Sequence, residues 1–219
     1  MPVKFESREY RKIDAAMMET RKEDGGKMIV EGYATTFNQP YELMRAKDVI
    51  VNEQVDAQAF AETDMSDTIM QYDHEGRVFA RVKNGTLRLE PDEHGLKVTA
   101  DLGGTEIGRQ LFEEINGGYT NKMSFGFTVT GEKKTREKDE AGNTVILRTI
   151  TKVGRLFDVS AVSLPANDAT EISSRSIGDG LITECLKEVQ AEQERQRKEK
   201  QILEIRKLLD MEEENHENA

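Results

Sequence analysis

The stretch NKMSFGFTVTG, residues 121–131, alternates Met123, Phe125, Phe127 and Val129 with Ser124, Gly126, Thr128 and Thr130. Side chains of an extended strand point to opposite faces in turn, so the pattern predicts one large apolar face and one small, polar face. The same period recurs nearby. Leu87 and Leu89 alternate on one arm of residues 85–102, and Leu96, Val98 and Ala100 on the other, around a Pro-Asp-Glu-His-Gly loop. That combination reads as a hairpin.

Other segments extend the reading. MIVEGYATTF (28–37) predicts a strand with a Gly-containing bend, followed by the loop NQPYE. TIMQYDHEG (68–76) predicts a strand running into a turn, with Asp73, His74 and Glu75 at its end. Residues 131–154 read as a long hairpin with a charged tip at 132–143, and 154–168 as a last strand ending at Pro165. Helical spacing is found twice: VDAQAFAETD (55–64) fits a short helix, and TEIGRQLFEEINGG (105–118) a longer one. In the second, Thr105 is the N-cap, Ile107, Leu111 and Ile115 share a face, and Gly117 or Gly118 ends it. The expected class is α+β, mainly β: a mostly antiparallel β-barrel of about seven strands with peripheral helices.

Three regions are expected. Residues 1–27 form a charged N-terminal arm ending in EDGGK, 28–176 the β-barrel domain, and 177–219 a charged helical C-terminal tail. Half of residues 184–219 are charged. Ile182, Leu186 and Val189 make one apolar stripe at helical spacing and Ile202, Ile205 and Leu209 another. Residues 190–201 hold no large apolar side chain, so a continuous coiled coil is not expected.

Charge and composition remove several functions. The net charge is −11 and no basic patch with interleaved aromatics is present, which argues against nucleic acid as a partner. No run of about 18 apolar residues exists to span a membrane, and the charged start MPVKFESREY is not a secretory signal. A cytosolic protein without a membrane partner is expected. The single cysteine, Cys185, allows no intrachain disulfide, and no CxxC spacing offers zinc ligands. Asp73, His74 and Glu75 do not converge on a metal if the strand continues through them. DLGGTEIG matches neither a P-loop nor GxGxxG, so no metal and no cofactor are expected.

Three histidines limit the search for a base. His216 lies in the charged tail and His94 in a hairpin turn, whereas His74 ends an apolar strand and is the first choice. A serine hydroxyl requires such a base because it stays protonated at neutral pH. A carboxylate that holds the imidazole completes the set. Asp158, flanked by Leu156, Phe157, Val159 and Val162, sits in a strand where an ionised carboxylate requires a partner. Asp73 is a rival, disfavoured because neighbours on a strand face opposite ways, and Glu31 is another. From spacing alone, a Ser124–His74–acid site stands beside the plainer reading of Ser124 on a half-solvated strand.

Four motifs in order resemble the prohead maturation proteases of tailed bacteriophages. They are VEGYATTF, QYDHEGRVFARVKNGTLRLEPDEHGLKVTADL, EEINGGYTNKMSFGF and LFDVSAVSLPAND, covering roughly residues 28–170. That family is similar to the herpesvirus capsid-maturation serine proteases, a β-barrel surrounded by helices. The resemblance implies Ser124 as nucleophile, His74 as general base and Asp158 as third member. At Asp158 the family more often has glutamate, and it often has a glycine before Met123. It further implies a serine endopeptidase that cleaves the major capsid protein and scaffold segments, and then itself, inside the assembling prohead in the host cytoplasm. The herpesvirus likeness suggests a homodimer. Arg155 and a glycine amide near it are considered as donors to the oxyanion. The competing reading is a non-enzymatic capsid scaffold or assembly protein that retains the protease fold.

Overall fold

A computed structural model describes residues 8–13, 18–46, 48–162 and, further on, 187, 189–191, 194–195, 197–203 and 205–206. The chain divides into two compact units, Met1–Gly178 and Asp179–Ala219. Described residues of the second are helical, with Ile202 and Ile205 exposed. The expected strand end at Pro165 lies outside the described residues, as do Cys185, His216, Ile182, Leu186 and Leu209.

The first unit opens with β1 (Glu9–Ile13), β2 (Glu19–Glu23) and β3 (Lys27–Thr36). β4 (Tyr41–Ala46), β5 (Val49–Val55), β6 (Ile69–Tyr72) and β7 (Glu75–Arg81) follow. β8 (Leu87–Pro91) and β9 (Gly95–Asp101) form the expected hairpin. Then come α1 (Glu106–Asn116), β10 (Lys122–Lys138) and β11 (Thr144–Val162). The Thr105 hydroxyl accepts from the Gly108 amide, as an N-cap should. Leu111 and Ile115 are buried on one face of α1, together with Phe112.

The mainly β class stands, but the barrel does not. One sheet runs β1-β10-β11-β5-β4, with β6 also on β11 and β7 on β6; the other runs β2-β3-β9-β8. Among the described residues no ladder joins the outer strands β4 and β7 to β2 or β8, so neither sheet closes. Their apolar faces instead share one core. Val30, Ala34, Leu96, Val98 and Ala100 from the smaller sheet cluster with Phe125, Phe127, Ile150, Leu156 and Val159 from the larger. Phe125 and Phe127, two residues apart on the same face, stack at 4.4 Å and are fully buried. Each such burial is worth about 2–3 kcal/mol.

One further expectation changes. Residues 55–64 are a run of turns, with Ala59 N–H donating to Asp56 O and Thr63 N–H to Phe60 O. The Ala59 carbonyl is taken by the Val153 amide, which removes it from any helical ladder. Residues 1–27 supply two strands, β1 on β10 and β2 on β3. The pairing is mostly antiparallel, but β11 takes β5 and β6 in parallel along its first and last parts. Long connections make that geometry accessible.

Candidate active site

β10 and β11 are antiparallel neighbours, with Ser124 opposite Ser160 and Gly126 opposite Asp158. β6 lies on the other side of β11, in the register Asp158↔Ile69 and Ala161↔Tyr72. The chain leaves β6 through a two-residue turn, Tyr72 pairing with Glu75 across Asp73 and His74. Both turn residues have positive φ, 46° and 62°, the left-handed pair that tight hairpins require. Asp and His tolerate that region better than most residues. The Asp73 amide donates to Ala161 O, which fastens the turn to β11.

This construction aims His74 back over the sheet. Its Nε2 lies 2.5 Å from Ser124 Oγ and its Nδ1 2.5 Å from Asp158 Oδ1. The structure therefore brings Ser124, His74 and Asp158 into one hydrogen-bonded line. Ser124 and Asp158 are fully buried, and the His74 side chain is 11% exposed. Ser160, two residues after Asp158 on the same face, donates its hydroxyl to Asp158 Oδ1 at 2.9 Å. Burial alone would raise the Asp158 pKa. The hydrogen bond and charge of His74, the Arg8 charge and the Ser160 hydroxyl outweigh it, and the carboxyl is held below its usual value.

The sequence left no sign of the residues that cover this line. Arg8 pairs with the second Asp158 oxygen and lies over the rings of Tyr10 and Phe157. Tyr10 packs edge-on against the His74 ring at 4.5 Å. Ser124 Oγ donates to the Arg11 carbonyl at 2.8 Å. All three belong to the segment that composition marks only as a charged arm. Glu-Tyr-Arg-Lys-Ile has no apolar alternation, so its strand character comes entirely from pairing with β10. Ser160 did have a signal, the i, i+2 spacing from Asp158 in DVSAV.

The remaining candidates sit elsewhere. Glu31 is held by Arg21 and Thr99 in the smaller sheet. His94 stacks edge-on against Tyr33 at 4.6 Å. The Arg155 amide donates to Thr128 Oγ1, and its guanidinium faces Asp64 at 3.6 Å, so it does not point at Ser124. Asp73 is in the turn with His74, so the opposite-face rule used against it does not apply. Asp158, not Asp73, is within hydrogen-bond reach of the imidazole.

Gly126 also has a different role from the open strand face its size implies. A Cβ there would lie 2.4 Å from Asp158 Oδ2 and 2.9 Å from Arg8 Nε. The absent side chain makes the seat of the carboxylate. Gly126→Ala is expected to cost about 1–3 kcal/mol of stability. Thermal melting checks this; an unchanged melting temperature would show that the close approach is not needed.

The Caudovirus prohead serine protease family matches residues 16–181, about three-quarters of the chain. The chain belongs to that family. It is therefore a serine protease, a hydrolase of peptide bonds acting in phage capsid maturation. A search of curated proteins finds no match. Among solved structures, the bacteriophage T4 capsid assembly protease gp21 is similar to this prohead protease with a TM-score of 0.42 and 10% identity. The likeness covers 71% of this chain and 98% of that one. No helix among the described residues is long and apolar enough to cross a membrane.

Proposed function

We propose that this prohead protease is an endopeptidase that cuts capsid or scaffold protein segments within the assembling prohead, and also cuts itself. Ser124 is the nucleophile, His74 the general base and Asp158 the carboxylate that holds the imidazole. The observation that supports the reading is the line Ser124 Oγ–His74 Nε2, His74 Nδ1–Asp158 Oδ1, each step 2.5 Å. Asp158 accepts from Nδ1–H, which leaves Nε2 to take the hydroxyl proton. As Oγ attacks the peptide carbonyl, the imidazolium forms beside a carboxylate that burial has not neutralised. The proton then passes to the leaving amine, and water releases the acyl group by the same route.

The working unit in this reading is residues 28–176, and the tail from 177 serves in capsid docking or is removed. A chain ending at 176 that enters proheads and is processed normally would remove the tail's role. The assignment of Ser124 is tested by incubating the full chain with its capsid precursor and with a peptidyl phosphonate. Discrete fragments and an adduct on the peptide containing Ser124 are expected. Fragments produced while the adduct maps to another serine would overturn the assignment, and an intact precursor with no adduct would overturn the enzyme's role here.

A further inference from the structure

β1 pairs with the strand that carries Ser124, as an added peptide strand would. It is antiparallel to β10, with Arg11 opposite Phe125, and it presents the Arg11 carbonyl to the Ser124 hydroxyl at 2.8 Å. Extended peptides that add to a sheet edge gain affinity from the backbone and specificity from pockets for alternate side chains. Two alternate side chains of β1, Glu9 and Arg11, are held by charged partners. The Arg11 guanidinium is buried, its Nε 2.5 Å from Glu53 Oε1 and its terminal nitrogen 3.0 Å from Glu53 Oε2. Glu53 is fully buried and also accepts from Tyr41 and from Arg148, each at 2.5 Å. Arg148 reaches Glu9, two residues before Arg11, through two nitrogens at 2.9 and 3.0 Å.

On the assignment of Ser124 above, we propose that Glu53, Tyr41 and Arg148 form the subsite that selects substrates with glutamate two residues before an arginine, the cut falling after the arginine. β1 is the chain's own substrate, with Arg11–Lys12 as the scissile bond. Four observations support this. A planar carboxylate facing a planar guanidinium through two bonds discriminates strongly for arginine. Glu53 is fully buried and receives two cations, Arg11 and Arg148. β1 ends before residue 16, where the family match begins. Arg8 Nε is buried without a hydrogen-bond partner among the described residues, a cost relieved when the segment departs.

The step balances without a further reactant except water. The Arg11 carbonyl oxygen turns away from the hydroxyl, Ser124 Oγ bonds to the carbonyl carbon, and the hydroxyl proton moves to His74. The Arg11–Lys12 C–N bond breaks, and His74 protonates the Lys12 nitrogen. Water then hydrolyses the ester, leaving residues 1–11 with a terminal carboxylate and a chain that begins at Lys12. While Arg11 O accepts the single hydroxyl proton, that proton is not on its way to His74, so the segment also restrains the enzyme until it is cut.

The test uses full chains and intact mass. Wild type should be found beginning at Lys12, whereas Ser124→Ala keeps its first eleven residues. Wild type should also remove residues 1–11 from added Ser124→Ala chain, and cut a synthetic peptide spanning residues 5–16 at the same bond. Arg11→Gln in either substrate should slow the cut about 100-fold, with Arg11→Lys between. Cleavage at other bonds with Arg11–Lys12 untouched, while Ser124 takes the phosphonate, overturns this proposal and leaves the triad standing. Equal rates for the unchanged and the Arg11→Gln substrates overturn the subsite. Faster phosphonate labelling in a chain with intact Ser124 and the Arg11→Gln change, with no cut in any substrate, shows an inhibitory strap and overturns the substrate reading. No phosphonate on Ser124 and no cleavage anywhere sinks the triad assignment and this proposal with it.

Discussion

Replacing Ser124 with alanine should lower peptidase kcat by about 10⁴–10⁶, and His74→Ala should cost nearly as much. In the proposed mechanism the two residues act as one device, and the magnitude follows from that: without Oγ no acyl-enzyme would form, and without Nε2 the hydroxyl would keep its proton at neutral pH. The double variant should therefore be hardly slower than either single one, because each change alone already disables the shared step. Asp158→Asn should cost less, since Oγ and Nε2 remain 2.5 Å apart and only the imidazole's hold is lost. Steady-state rates on one peptide for the four variants decide the matter. Multiplied losses in the double variant would mean that Ser124 and His74 act independently and that the proposed proton transfer is wrong.

Glu53→Gln should destabilise the fold by about 3–5 kcal/mol. The substitution leaves two buried guanidinium groups, Arg11 and Arg148, sharing only Glu9 and Glu132. Burial by itself raises the Glu53 pKa, but the charges and hydrogen bonds of Arg11, with Arg148 and Tyr41, bring it down to about 2. A carboxyl whose pKa is lower folded than unfolded stabilises the fold fully above its ordinary value of 4.5. That contribution drains away as the pH falls from there toward about 2, on the order of 3 kcal/mol in all. The Ser124→Ala chain, which keeps Arg11, should therefore lose stability through this window, and Glu53→Gln in the same background should be flatter across it. Urea midpoints at a series of pH values give both numbers. A Ser124→Ala chain as stable at pH 3 as at pH 6 would show that the cluster does not hold the protein together.

How much of this was readable beforehand differs by residue. Ser124 and Asp158 stand in alternating strands, where period 2 already says which neighbours share their face. His74 was readable because only three histidines compete and one ends an apolar strand. The sheet count was not readable. Closure depends on whether edge strands far apart in sequence pair, and local pattern carries no information on that. The run 55–64 misled for a related reason: its helical spacing is genuine, but Val153 and Asp64–Arg155 pairing draw the backbone into turns.

By itself the sequence determined the strand faces, the capped helix α1 and the β8–β9 hairpin. These depend on neighbours a few positions apart, whose geometry the backbone period dictates. Only the tertiary structure decided that Gly126 seats a carboxylate and that β1 lies across Ser124. It also decided that Glu53 receives Arg11 from 42 residues away. A polar strand such as Glu9–Ile13 has no buried face of its own to announce it. Its place is chosen by an open edge on β10 and by opposite charges on β5 and β11, which meet only once the sheet has formed.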